Sequence, residues 1–106
     1  MACIGDSITD GDGGLQRPAY PEYLGMFLGN SFNVSNNGLG GTTAIDQLRE
    51  HRGNNNVPYL EHALKYPHFD FRNTNPDFAF MMFGTNDAHD GNWNYEKYKE
   101  GYKNMI

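Results

Sequence analysis

The sequence is poor in cysteine and in long apolar runs. Cys3 is the single cysteine among 106 residues, so the chain cannot form an internal disulfide or a zinc site built from several thiolates. No apolar stretch approaches the roughly 18 residues that a membrane-spanning helix needs. The composition therefore predicts no membrane partner, and it leaves the cellular compartment undetermined.

Positive charge is also scarce. Eight Lys and Arg residues stand against 13 Asp and Glu residues, which gives a net charge of -5. The basic residues are scattered along the chain, whereas proteins that bind nucleic acid cluster them to neutralise phosphates. We therefore expect no nucleic-acid partner.

Two short motifs resemble ligand loops but lack the residues that define them. Residues 10–13 have the spacing of a calcium loop, yet Leu15 occupies the sixth position in place of Gly and Pro21 the twelfth in place of Glu. Residues 38–41 resemble a dinucleotide-binding turn, but Thr43 stands where its third glycine belongs. We therefore predict no metal and no cofactor.

Three stretches have the composition of β-strands. Ala2–Ile4 is a short apolar run without polar alternation, typical of a strand buried on both faces. Phe32–Val34 is a weaker candidate. Phe78–Phe83 is the clearest, because six consecutive apolar residues are bounded by Asp77 and Gly84, and we expect it to form the centre of the core.

Helical periodicity separates these strands. Apolar residues recur every three or four positions in Pro18–Leu28, with Pro18 in the first turn and Gly29 at the end. Shorter helices are predicted from Thr42 and Thr43 to the turn-prone residues that begin at Arg52, and over Pro58–Tyr66. A Tyr-rich helix begins after an Asn94 cap. Alternating strands and helices indicate one α/β domain with a parallel sheet.

Small and polar residues follow each predicted strand. Since parallel strands end at the same rim of a sheet, the clusters at 5–7, 37–41 and 84–87 should converge there. Ser7 is the candidate nucleophile, and it would need a base to remove its proton. The backbone N–H groups of Ser7 and Gly41, together with the Asn86 amide, can form a three-donor oxyanion hole. Glycine suits position 41 because a close backbone approach leaves no room for a Cβ atom.

These clusters resemble the first three sequence blocks of the SGNH hydrolases, also called GDSL-like lipases and esterases. The matching residues are 5–9, 36–42 and 84–87, in the family's order. The resemblance implies that Ser7 is the nucleophile and first oxyanion donor, with Gly41 and Asn86 as the other donors. It also implies a flavodoxin-like three-layer α/β/α sandwich. Residues 84–93 and the Tyr-rich helix are similar to members that deacetylate carbohydrates, so we expect an acetylated carbohydrate or small ester as substrate.

The family's last block, Asp-x-x-His, supplies the catalytic base and is absent from this sequence. None of the four histidines, at 51, 62, 68 and 89, has Asp three residues earlier. We therefore expect residues 1–106 to be the amino-terminal portion of a single domain of this type, incomplete at the carboxyl end of its fold. The missing strands would leave the apolar edge of Phe78–Phe83 exposed, and self-association through that edge is expected.

Each candidate also has a plain structural interpretation. Ser7, Gly41 and Asn86 can be ordinary turn residues, and the chain can be a non-catalytic α/β module or a fragment that needs a complementary piece. His89 is interpreted as an exposed loop histidine in preference to a metal ligand or substitute base.

Trp93 and Asp6 lie near the predicted site, and each also has a structural interpretation. Trp93 either stacks on a sugar ring at the edge of the cleft or is a partly buried core indole. Asp6 is expected to bond the loop backbone, because its position beside Ser7 in a turn points it away from the hydroxyl group.

Overall fold

The computed structural model describes residues 1–11, 18–46, 56–67, 70–89 and 93–106. At its centre lies β1 (Ala2–Gly5), whose four residues are all buried. A parallel sheet of three strands has the order β2-β1-β5, in which β2 is Ser35–Gly38 and β5 is Ala79–Met82. The prediction of an α/β fold with a parallel sheet is confirmed.

Strand β2 lies three residues beyond the predicted Phe32–Val34. Its sequence is polar, and polar side chains satisfy one another there: the Ser35 hydroxyl donates to Asn37 Oδ1 at 2.8 Å, and the Gly38 N–H donates to Asn36 Oδ1 at 2.9 Å. Pairing with β1 places Asn37 opposite Ile4. Backbone pairing and these side-chain bonds outweigh the apolar preference on which the prediction rested.

Strand β5 was expected at the centre of the core but lies at the edge of the sheet. In the described part of the chain it pairs only with β1, with Gly5 opposite Met82. Phe78 and Phe80 are each 61% exposed. The expectation of cover on both faces is wrong here, whereas the expectation of an exposed apolar edge is confirmed.

Helices pack on both faces of the sheet because side chains alternate along β1. Cys3 and Gly5 face α1 (Ser7–Asp10) and α2 (Tyr20–Leu28), and the Cys3 thiol hydrogen-bonds Tyr20. Ala2 and Ile4 face α3 (Tyr59–Lys65) and α5 (Tyr95–Met105). Helices and sheet thus stack as layers. The core cluster on the second face consists of Ala2, Ile4, Ala44, Tyr59, Ala63, Phe71, Phe83 and Met105.

Helix α2 begins later than predicted, at Tyr20, so that Pro21 and not Pro18 lies in its first turn. It ends as predicted at Gly29, whose φ of 71° favours glycine. Much of its apolar surface is not covered, since Phe27 is 87% exposed.

The helix predicted from Thr42 is not formed at its start. Thr42–Thr43 is a short strand, β3, paired in parallel with β4 (Val57–Pro58). Residues 47–55 lie outside the described residues, and with them Leu48. Helix α3 follows β4 directly and confirms the helix predicted over Pro58–Tyr66.

The remaining elements are short, apart from α5. Irregular backbone was predicted before β5, and it contains a 3₁₀ helix, Phe71–Thr74. Another 3₁₀ helix, Gly29–Ser31, follows α2, and α4 (Thr85–His89) follows β5. Helix α5 begins at the predicted cap, where the Asn94 side chain accepts the Lys97 N–H at 3.0 Å. No helix within the described ranges is long and apolar enough to cross a membrane.

Candidate active site

Ser7 is the first residue of α1, just past the carboxyl end of β1. Asp6 caps the helix, because its Oδ1 atom accepts the Ile8 N–H at 2.9 Å. Asp6 is buried and bonded to the loop backbone as predicted, while Ser7 is half-buried. The turn therefore holds the serine beside the sheet rim with part of its surface open to solvent.

Two glycines allow α1 to lie directly on the strand ends. A Cβ atom on Gly5 would collide with the Thr9 side chain and lie 2.6 Å from the Met82 carbonyl oxygen. A Cβ atom on Gly38 would collide with the backbone of Thr9 and Asp10. Both positions need glycine because a side chain would overlap its neighbours. The two glycines therefore allow the Ser7 turn to lie close to β2 and β5.

The structure adds a reason for glycine at position 41 to the predicted close backbone approach. A Cβ atom there would meet nothing nearer than Asn56 Oδ1 at 3.8 Å, which is an ordinary contact. Its φ of 74° lies in the left-handed region, where other residues are strained. The conformation of the turn, and not crowding by the protein, accounts for glycine at this position.

The three predicted clusters are joined by direct hydrogen bonds. The Asn86 amide donates to the carbonyl oxygen of Thr42 at 2.8 Å, which links the third cluster to the residue that directly follows the second. The Thr42 hydroxyl lies 2.7 Å from the Leu39 carbonyl oxygen and 3.5 Å from that of Gly5. The Leu39 N–H also donates to Gly5 at 2.9 Å, which links the second cluster to the first.

Asp87 belongs to the third cluster, but its sequence position alone predicts no role for it. Its carboxylate is completely buried and accepts the N–H groups of Ile45 at 2.8 Å and Ala44 at 3.2 Å. Burial raises the pKa of this carboxyl, and the backbone hydrogen bonds oppose that rise. Its one sequence signal is its place in the Gly84–Asp87 block.

Two tyrosines of α5 hold the backbone just before that block. The Tyr98 hydroxyl donates to the Phe83 carbonyl oxygen at 2.7 Å, and the Tyr102 hydroxyl accepts the Phe83 N–H at 3.0 Å. Burial raises the pKa of Tyr98 well above its usual range. Trp93 packs beside Tyr98, with ring centres 4.9 Å apart. Its side chain is 50% exposed, so one part contacts the protein and the other faces solvent.

The candidate bases lie in different places. His89 is exposed as predicted, but it is the last residue of α4 and not a loop residue. His62 on α3 packs against Tyr66, with ring centres 4.6 Å apart. His51 and His68 lie outside the described residues. Within the described ranges no group of three or more His, Cys, Asp or Glu side chains could hold a metal ion.

Comparison with known proteins agrees with this arrangement. Residues 3–106 match the model of the GDSL-like lipase/acylhydrolase family. The chain belongs to this family. The match covers nearly all of the chain, including all three strand-end clusters.

The chain is also similar to a protein with an assigned activity. The chain is 31% identical over 109 aligned residues to an acetylxylan esterase from Xylanibacter ruminicola. That alignment covers 100% of this chain and 21% of the relative, so the chain spans about a fifth of the relative's length. No solved structure matches the chain.

Proposed function

We propose that this chain carries the nucleophile and oxyanion-binding part of a serine esterase that removes acetyl groups from carbohydrate. The observation that supports this best is the hydrogen-bonded junction of the three strand-end clusters, above all the bond from Asn86 to Thr42. The GDSL-like family match and the acetylxylan esterase relative support the same chemistry.

In the proposed reaction, Ser7 Oγ attacks the ester carbonyl carbon while a base takes its proton. The carbonyl oxygen becomes an oxyanion, which the N–H groups of Ser7 and Gly41 and the Asn86 amide stabilise. A side-chain amide has two N–H donors, so one can serve the oxyanion while the other holds Thr42. Collapse of the tetrahedral intermediate releases the alcohol with the proton and leaves acetyl-Ser7. Water then attacks the acetyl carbon, which breaks its bond to Ser7 Oγ, releases acetate and returns a proton to the serine.

This sequence lacks the motif that supplies the proton acceptor in the GDSL-like family. Asp-x-x-His occurs nowhere in the 106 residues. Without an imidazole in hydrogen-bond reach, Ser7 keeps its proton, and we expect these residues alone to hydrolyse esters slowly. The same observation favours the second candidate, a non-catalytic module that needs a complementary piece.

The proposed substrate class rests on the relative's name. We propose acetyl esters of a xylan-like polysaccharide in preference to long-chain lipid esters. Acetate release from acetylated xylan, compared with release of a long fatty acid from a chromogenic ester, tests this part separately.

The nucleophile is tested in the protein expressed from its full reading frame. Ser7→Ala should lower the hydrolysis of a chromogenic acetate ester by roughly 10⁴-fold or more, because the attacking oxygen is lost. The matched control is Ser31→Ala, which removes the hydroxyl of an exposed serine at the end of a 3₁₀ helix. The control should keep the wild-type rate.

Two outcomes would count against the esterase. If wild-type protein shows no hydrolysis above that of Ser7→Ala, the non-catalytic module is the better description. If hydrolysis is present but survives Ser7→Ala, another group is the nucleophile.

A further inference from the structure

Asp87 is a charged side chain with no exposure to solvent, and both of its oxygens are used. Its partners are two consecutive backbone N–H groups, those of Ala44 and Ile45. Removing a carboxylate from water is unfavourable unless hydrogen bonds replace its hydration. A buried carboxylate at this place therefore needs a structural or functional reason.

The neighbouring residue holds the same loop from its other end. Asn86 donates to the Thr42 carbonyl oxygen at 2.8 Å, while Asp87 accepts from Ala44 and Ile45. Two adjacent residues of α4 thus make three hydrogen bonds to Thr42, Ala44 and Ile45, within a four-residue stretch that begins with β3. Gly41, the proposed second oxyanion donor, lies immediately before the first of them.

Helix α5 supports this loop from another side. A Cβ atom on Gly101 would collide with the Ala44 carbonyl group and lie 3.3 Å from Ile45 N. The loop is therefore confined between α4 and α5. Ala44 and Ile45 are themselves buried, which leaves the hydrogen bonds to Asp87 shielded from water.

We propose that Asp87 is a positioning residue: it fixes the Gly41–Ile45 loop against α4 and so sets the spacing between the Gly41 N–H and the Asn86 amide. This inference rests on the proposed esterase function. A carboxylate suits the task because it offers an acceptor to each N–H. An asparagine would place its NH₂ group against one of them.

The first test of this proposal needs no activity. In Asp87→Asn protein, amide hydrogen exchange should accelerate about tenfold or more at Ala44 and Ile45, relative to amides of β1. Asp70→Asn is the matched control, because Asp70 is also a buried aspartate that accepts a backbone N–H but belongs to the 3₁₀ helix Phe71–Thr74. Wild-type exchange at Ala44 and Ile45 in Asp87→Asn overturns the proposal.

The second test measures turnover per active site in the protein from its full reading frame. The acyl-enzyme burst counts competent sites, so a variant that folds poorly lowers the burst and not the turnover number. Asp87→Asn, and the smaller Asp87→Ser, should lower kcat about 10- to 100-fold with KM little changed, since a misplaced donor acts on the transition state. Asp70→Asn should leave both constants unchanged.

The outcomes separate this inference from the proposed function. Absence of Ser7-dependent turnover in wild-type protein overturns the esterase proposal and this inference with it. Ser7-dependent turnover in wild type together with wild-type kcat in Asp87→Asn and Asp87→Ser overturns the positioning role alone.

Discussion

At the scale of single residues, similar side chains in this protein have different physical reasons to be present. Gly38 leaves space for the backbone of α1, whereas Gly41 supplies a positive φ in open space. Asp6 caps a helix from a buried position, and Asp87 joins two elements. The sequence shows only that small and acidic residues occur at these places.

Asp70 provides a pH-dependent test of one charged pair. Arg72 makes two 2.7 Å contacts with its carboxylate, which holds the pKa of Asp70 below its usual value. A lowered native pKa stabilises the protein above the unfolded value of about 3.9, and this contribution disappears as the pH falls through the native value.

The variant Arg72→Met should therefore lose about 0.5–1 kcal/mol of unfolding free energy at pH 7, a small value because Arg72 is partly exposed. The deficit should shrink as the pH falls below the unfolded value and vanish once the native carboxyl is protonated. Urea unfolding at several pH values measures it. Lys99→Met removes the same charge from the exposed surface of α5, and an equal loss in that variant would show that the pair itself contributes nothing.

At the residue scale, those parts of the candidate site that directly follow a strand could be predicted from the sequence. The motifs at 5–7, 36–42 and 84–87 could be read from the chain, and the structure joins them by hydrogen bonds. The roles of Ser7, Gly41 and Asn86 in catalysis stay predictions. The partners of Asp87 could not be read, because Ala44 and Ile45 contribute backbone atoms that every residue possesses.

At the scale of elements, the structure distinguishes two helical glycines that look alike in the sequence. Gly25 of α2 faces Val34, and a Cβ atom there would make ordinary contacts at 3.6 and 3.8 Å. Gly101 of α5 is buried against the Ala44 backbone, which a Cβ atom would overlap. Helix propensity favours alanine over glycine at both positions.

Substituting alanine should consequently have opposite effects at the two glycines. Gly25→Ala should raise the free energy of unfolding by about 0.5–1 kcal/mol, through helix propensity. Gly101→Ala should lower it by about 1–3 kcal/mol, because α5 must move away from the loop. Chemical denaturation of each variant measures both effects. A stabilising Gly101→Ala would mean that α5 does not press against Ala44 in solution.

Element boundaries were predicted well where caps or apolar periodicity determine them, and poorly where backbone pairing does. The Asn94 cap and helix α3 are examples of the first kind. Strand β2 and the β3–β4 pair are examples of the second, since their polar or short sequences carry no strand periodicity. Their hydrogen-bond partners come from distant parts of the chain.

At the scale of the whole molecule, the described surface carries an apolar patch on one face of β5. This β5 patch consists of Phe78, Phe80 and Met82, which alternate with the core-facing Met81 and are 61%, 61% and 37% exposed. Apolar side chains in a row on an edge strand favour pairing with another molecule. We propose that the chain self-associates through this patch.

Phe80→Lys should accordingly shift a concentration-dependent assembly towards monomer in sedimentation velocity, because it places a charge in the middle of the β5 patch. Phe27→Lys is the matched control: it adds the same charge at an exposed phenylalanine of α2, which packs at the opposite edge of the sheet. Wild-type protein that stays monomeric at all concentrations would contradict the proposal. An equal effect of both variants would place the contact elsewhere.

By itself, the sequence determined the local and compositional features of this protein. Apolar runs, glycine turns and caps indicated alternating strands and helices, and three motifs at strand ends indicated the GDSL-like family. These features depend on neighbours in the chain, so they can be read along it. Only the tertiary structure decided that β1 pairs with both β2 and β5, that β2 begins at Ser35, and that Asp87 holds the loop after Gly41. Those features depend on which distant backbone groups meet, because burial and hydrogen-bond partners exist only once the chain is folded.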